Sequence, residues 1–184
     1  NLMALSQTNF KRLLAYSGIS HAGYMMLIIL SAKNQPAGAL FYYSLAYALS
    51  TIAAFAIAIP MFQASKSEDI DSFNGLGKKN PMAAAGRSIA MLGLAGMPPF
   101  AGFLGKYYIF TEALHSNYFY TTLVAIFASM IGVYYYFKVI IAMYGKPQNE
   151  ANLVIPFNFK LVLWVCLALS LVIGLYPAPI FNIF

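Results

Sequence analysis

Charge is what this sequence has least of. Of its 184 residues 9% are charged and five are acidic, whereas a soluble domain carries about a quarter. That excludes an ordinary water-solvated fold. With 61% hydrophobic residues and a mean hydropathy of +0.70, the chain reads as an integral membrane protein. Cysteine is also scarce. Cys166 stands alone inside an apolar run, which excludes an internal disulfide and gives no sign of a metal or redox centre. The net charge of +6 and isoelectric point near 9.4 do not make a nucleic-acid binder, because the basic residues sit singly at segment ends and form no basic face. There is no glycine-rich nucleotide loop, no metal-ligand spacing and no extramembrane stretch large enough to hold a cofactor.

What is present is membrane-length apolar sequence. Crossing the hydrocarbon takes about 20 apolar residues, and five segments qualify: 13–32, 36–62, 81–114, 118–145 and 159–183. The expected fold is therefore all-α, a single transmembrane domain over residues 1–184. Residues 1–6 read as the tail of an earlier apolar segment, so the chain is expected to be the C-terminal part of a longer protein. Seven basic residues (Lys11, Arg12, Lys66, Lys78, Lys79, Lys146 and Lys160) fall in loops on one side of a five-span topology, and Lys33 alone falls on the other. The positive-inside bias then places the C-terminus on the non-cytoplasmic side of a multi-pass protein. The loop between the second and third segments reads as solvated. The small residues Ala53, Ala54, Ala56, Ala58 and 83–86 read as helix-packing scaffold. Tyr42, Tyr43, Tyr107, Tyr108, Tyr118 and Tyr120 read as lipid-facing or interfacial aromatics.

The third segment is interrupted. As one helix its roughly 34 residues would reach about 50 Å against a core of about 30 Å. Pro98 and Pro99, with Gly102 and Gly105 close by, predict a break that absorbs the excess. The prolines lack N–H groups, so the carbonyls of Leu94 and Ala95 lose their usual donors four residues on. Lys106 follows the break at a depth from which its stem reaches the headgroups only if the helix tilts strongly. Burial penalises the ammonium relative to the neutral amine, so a lysine there can release and regain a proton, as a relay requires. A structural lysine is the competing reading.

Four further ionisable residues stand within the segments. Glu112, six residues beyond Lys106, points roughly 120° away on a regular helix; it is either a solvated helix end or a proton exit. His21, flanked by Ser17 and Ser20 near mid-depth, is a proton or water relay or a packed core histidine. Lys138 is an anchor near the basic side or a member of the path, with Tyr134 and Tyr135 on its face. Arg87, six residues into its segment, is expected to snorkel to the basic side. His115 reads as ordinary surface.

Two stretches carry a family resemblance. Asn9-Phe-Lys-Arg-Leu-Leu-Ala-Tyr-Ser-Gly-Ile-Ser-His-Ala-Gly-Tyr24 is one. The other is Leu94-Ala-Gly-Met-Pro-Pro-Phe-Ala-Gly-Phe-Leu-Gly-Lys-Tyr-Tyr-Ile-Phe110, followed by Ile131-Gly-Val-Tyr-Tyr-Tyr-Phe-Lys138. They closely resemble subunit N (the mitochondrial subunit 2 counterpart) of respiratory complex I, the proton-pumping NADH:quinone oxidoreductase. Related antiporter-like subunits share the Leu-Ala-Tyr-Ser block, but one of them, subunit M, has glutamate where this sequence has Lys106. The resemblance covers essentially the whole chain. It implies an antiporter-like bundle comprising most of a second inverted repeat plus the terminal helix. It places on Lys106 the role of a proton-carrying lysine on a discontinuous helix, and gives no role to Glu112 or Arg87. It implies a translocase subunit whose partners are the other membrane subunits of complex I, the lipid bilayer, protons and internal water. NADH, FMN, iron–sulfur clusters and quinone are expected in other subunits. The expected location is a bacterial inner membrane or an organellar inner membrane. A subunit of a multisubunit cation/proton antiporter is the alternative.

Overall fold

The computed structural model describes residues 1–30, 36–146 and 155–178. Lys33 and Pro179 lie outside them. In hydrocarbon every backbone N–H and C=O must be satisfied within the protein, which favours helices, and every named element here is helical. They are α1 (Leu2–Leu5), α2 (Phe10–Leu30), α3 (Pro36–Ser65), a 3₁₀ turn (Ile70–Phe73), α4 (Leu76–Lys79), α5 (Pro81–Ala95), α6 (Ala101–His115), α7 (Phe119–Tyr144) and α8 (Phe157–Leu175). The helices α2, α3, α7 and α8 are long and apolar enough to cross a membrane. At 15 residues each, α5 and α6 reach only about 22 Å, so together they make one discontinuous pass. At the centre, α3 packs against α8, α5 and α6. Alanines 53, 54, 56 and 58 are buried at this junction, as close helix packing requires.

The break runs from Gly96 to Phe100. Asn80 caps the start of α5, its Oδ1 accepting from the Ala83 N–H at 3.2 Å, with Pro81 in the first turn. At the other end Gly96 turns left-handed (φ +81°), which glycine adopts without a Cβ penalty. The Met97 N–H then reaches back to the Leu92 carbonyl and the Gly96 N–H to the Gly93 carbonyl, the usual double closure of a helix end. After the break α6 runs on in the direction of α5 but is displaced sideways, so that its first turns overlap the last turn of α5: Gly102 sits beside Gly93, and Lys106 beside Gly96. A Cβ on Gly102 would lie 2.0 Å from the Gly93 carbonyl oxygen. Gly102 and Gly105, expected in the break, instead lie inside α6. They serve close packing, Gly102 against the α5 backbone and Gly105 against the Tyr43 ring.

Two other expectations are corrected at the basic end. The loop after α3 is a folded cover: Ile70, Phe73 and Leu76 are buried. It pairs with the start of α2 through Phe10 N–H to Glu68 O at 2.9 Å and Ile70 N–H to Thr8 O at 2.8 Å. Beneath it Arg87 does not snorkel; it is 0% exposed. Its guanidinium lies 3.5 Å from the Phe73 ring centroid and 4.1 Å from that of Phe10. The loop closes the route to water that its stem length would otherwise allow.

Gly102→Ala should destabilise the detergent-solubilised protein by about 2 kcal/mol, read as a fall in thermal midpoint. Gly23→Ala, where nothing lies within 4 Å of the new methyl, should be neutral or slightly stabilising. At the loop, hydrogen bonds from Lys11 and Asn9 hold the Glu68 carboxyl below its ordinary range. A depressed carboxylate stabilises above its unfolded value and loses that contribution as pH falls through the folded one. The protection factors of the Phe10 and Ile70 amides should therefore fall on acidification below the ordinary carboxylate range. Glu68→Gln should remove that dependence.

Candidate functional site

The helix break sets a hydrogen-bonding problem that Lys106 solves. Of the last four carbonyls of α5, those of Leu92 and Gly93 are satisfied by the turn itself. Those of Leu94 and Ala95 face the positions of Pro98 and Pro99, which have no N–H. Lys106 Nζ donates to the Ala95 carbonyl at 2.7 Å and to the Leu94 carbonyl at 3.4 Å. Its third hydrogen bond goes to Ser129 Oγ on α7 at 3.1 Å. The Tyr24 ring lies 5.7 Å from the ammonium, within cation–π range. The residue is 8% exposed. Eight residues separate Lys106 from Pro98 in sequence, but the sideways overlap of α6 with the last turn of α5 brings its side chain to the end of α5.

His21 is 5% exposed and hydrogen-bonded at both ring nitrogens. Nδ1 pairs with the Tyr43 hydroxyl at 2.6 Å and Nε2 with the Tyr136 hydroxyl at 3.1 Å. A neutral imidazole donates from one nitrogen and accepts at the other, while a hydroxyl does both, so the chain of bonds can reverse direction without moving heavy atoms. Tyr136 also hydrogen-bonds Ser17, and the Tyr47 ring stacks on His21 at 4.5 Å.

Three separate spaces border these groups. One of about 10 Å³ is lined by His21, Tyr43, Tyr47, Gly102 and Lys106, close to the least space that holds one water. A second of about 370 Å³ between α2 and α3 is lined by Lys11, Ser17, Tyr47 and Thr51. Lys11 marks its basic end, and Ser17 and Tyr47 carry it to the His21 network. A third of about 250 Å³ borders Lys106 away from His21, an open cleft on the outer face of the bundle lined by Ser129 and by the exposed Phe103, Tyr107 and Met130.

Of the residues singled out in the sequence, the structure brings His21 and Lys106 to one cavity and leaves two apart. Glu112 is half-buried towards the end of α6 and lines neither cavity that touches Lys106. Lys138 donates to the Gln7 carbonyl at 3.0 Å, tying α7 to the turn after α1. Tyr42 and Tyr43, expected in the aromatic belt, are buried, because α3 runs through the centre of the bundle. Tyr107, Tyr118 and Tyr120 are exposed. The sequence reading gave Tyr43, Tyr136, Tyr47 and Ser129 no place in the site. The available signal was the density of hydroxyl side chains in otherwise apolar segments.

The comparisons agree with this architecture. The family model described as NADH:quinone oxidoreductase/Mrp antiporter, transmembrane, matches residues 1–132. NADH-quinone oxidoreductase subunit N of Flavobacterium johnsoniae is 43% identical over 183 residues, which is 100% of this chain and 39% of the relative. A chain of respiratory complex I from Thermus thermophilus with bound aureothin aligns at 34% identity with a TM-score of 0.84, over 98% of this chain and 41% of that one. A chain of the Mrp complex from Dietzia sp. DQ12-45-1b, 18% identical with a TM-score of 0.88 over 98% of this chain and 42% of its own length, shares the fold. The chain thus spans well under half the length of the relatives it matches. With its apolar helices, its broken helix and a family match over most of its length, the chain belongs to the NADH:quinone oxidoreductase/Mrp antiporter transmembrane family.

Proposed function

We propose that this chain forms part of subunit N of a proton-translocating NADH:quinone oxidoreductase, and that Lys106 is its proton relay. The observation that carries this reading is an ammonium held inside the bundle by two carbonyls that a proline pair has left without donors. That is an expensive arrangement in a membrane protein, and ionisable groups so placed mark ion and proton pathways. A proton would travel from the basic end through the cavity at Lys11, by way of Ser17, Tyr136, His21 and Tyr43, and across the small cavity to Lys106. The basic end is assigned to the cytoplasmic side of a bacterial inner membrane (or the equivalent side of an organellar one), which puts the C-terminus on the opposite face. Internal water completes the path. Glu112 at the end of α6 is the candidate for the exit, and Lys138 holds α7 in place.

The partners on this reading are the other membrane subunits of the complex and the lipid around it. The flavin, iron–sulfur, NADH and quinone chemistry is assigned to other subunits; a sequence with a single cysteine has too few thiolates for a cluster. A subunit of a cation/proton antiporter is the second reading, favoured by the inclusion of Mrp antiporters in the family description. Co-purification with quinone-reductase subunits decides for the first. The relay is tested by Lys106→Met in the assembled complex. The rate of proton translocation should fall about a hundredfold or more, the low end for losing a positioned proton-transfer group. Unchanged translocation refutes the role.

A further inference from the structure

We infer that Ser129 is the group through which Lys106 gives up its proton, and the one that stabilises the lysine once neutral. This rests on the relay reading above. The three partners of Lys106 Nζ are chemically unequal. The carbonyls of Leu94 and Ala95 only accept hydrogen bonds, so they favour the ammonium and can neither take its proton away nor donate to the amine it leaves behind. Ser129 Oγ, at 3.1 Å, both accepts and donates.

Ser129 and Lys106 also border the same 250 Å³ cavity, the one remote from His21. Its wall is largely apolar, and Ser129, Lys106 and Tyr107 are the side chains in it that could hold a water. Tyr24, whose ring faces Lys106, also lies beside Ser129.

An N–H bond of the ammonium breaks as its proton passes to Ser129 Oγ. The original hydroxyl proton leaves to a water in the cavity, which becomes hydronium and carries the charge away. Lys106 is left a neutral amine and Ser129 remains a hydroxyl. The new O–H bond points back at Nζ, the orientation in which it donates to the amine lone pair. One exchange therefore moves the proton and stabilises the product. On this inference Lys106 has a loading side, through His21 and the small cavity, and an unloading side through Ser129.

A pair of substitutions matched in shape tests this. Ser129→Thr keeps the hydroxyl and Ser129→Val does not. Each is introduced into the full-length subunit in its complex, reconstituted in vesicles, and NADH-driven proton translocation is measured beside quinone reduction. Ser129→Thr should stay within about twofold of the parent and Ser129→Val should fall about tenfold, below the roughly hundredfold low end for loss of a proton-transfer group. Ser129→Ala should match Val. Equal translocation in the Thr and Val variants overturns the inference, whether both are active or both impaired. Lys106→Met is measured in parallel. If it pumps normally the relay reading fails; if it is inactive while Ser129→Val pumps normally, only the role of Ser129 fails.

Discussion

The ammonium of Lys106 against the carbonyls of Leu94 and Ala95 is the contact on which the rest of this bundle depends. A buried carbonyl left unpaired costs about 1–3 kcal/mol, and an ammonium taken out of water costs several more. Either alone would destabilise the membrane interior. Placed together, each offsets part of the other's cost. The arrangement needs four local features at once. Pro98 and Pro99 withhold the amide donors, Gly96 turns the chain, and Gly102 lets α6 lie against α5 closely enough for the lysine to reach back. Replacing the prolines with ordinary residues would restore donors at positions 98 and 99 and leave the lysine without its best acceptors.

This part of the site was legible in the sequence because the missing N–H of proline is a local fact. It names the orphaned carbonyls before any tertiary structure is known. The return of Lys106 to those carbonyls was not legible. Sequence separation measures distance only along a straight helix, and the sideways overlap of α6 on α5 removes that measure. The same limit applies to Tyr43, Tyr136 and Arg87. In segments apolar on every face, periodicity does not say which side meets protein and which meets lipid. A tyrosine in such a segment reads equally as belt or as core. Tyr43 became core because α3 is central, and that depends on four other helices.

Arg87 shows the cost of a cover. Stacking between two aromatic faces is worth about 2 kcal/mol when desolvated, less than the several kcal/mol of removing a charge from water. No hydrogen bond to its three guanidinium nitrogens makes up the difference within the described residues. The loop that excludes water from Arg87 also pairs with the start of α2, close to the cavity that begins at Lys11. Loop, arginine and cavity mouth are thus parts of one packed end of the bundle.

Direction is the property this network does not supply by itself. His21 stands between two hydroxyls, and every bond in that chain can point either way. Such a wire conducts equally in both senses. The fixed element is the pair of carbonyls at Lys106, which bias the site towards holding a proton. To drive the proton out, something must weaken that hold at the right moment. A unit charge changing about 10 Å away, at an effective dielectric of about 20, acts on Lys106 with roughly 1.7 kcal/mol. That alters its proton occupancy ratio by more than tenfold. A neighbouring polypeptide could therefore load and unload Lys106 by moving charge alone, with no rearrangement of the helices that hold it.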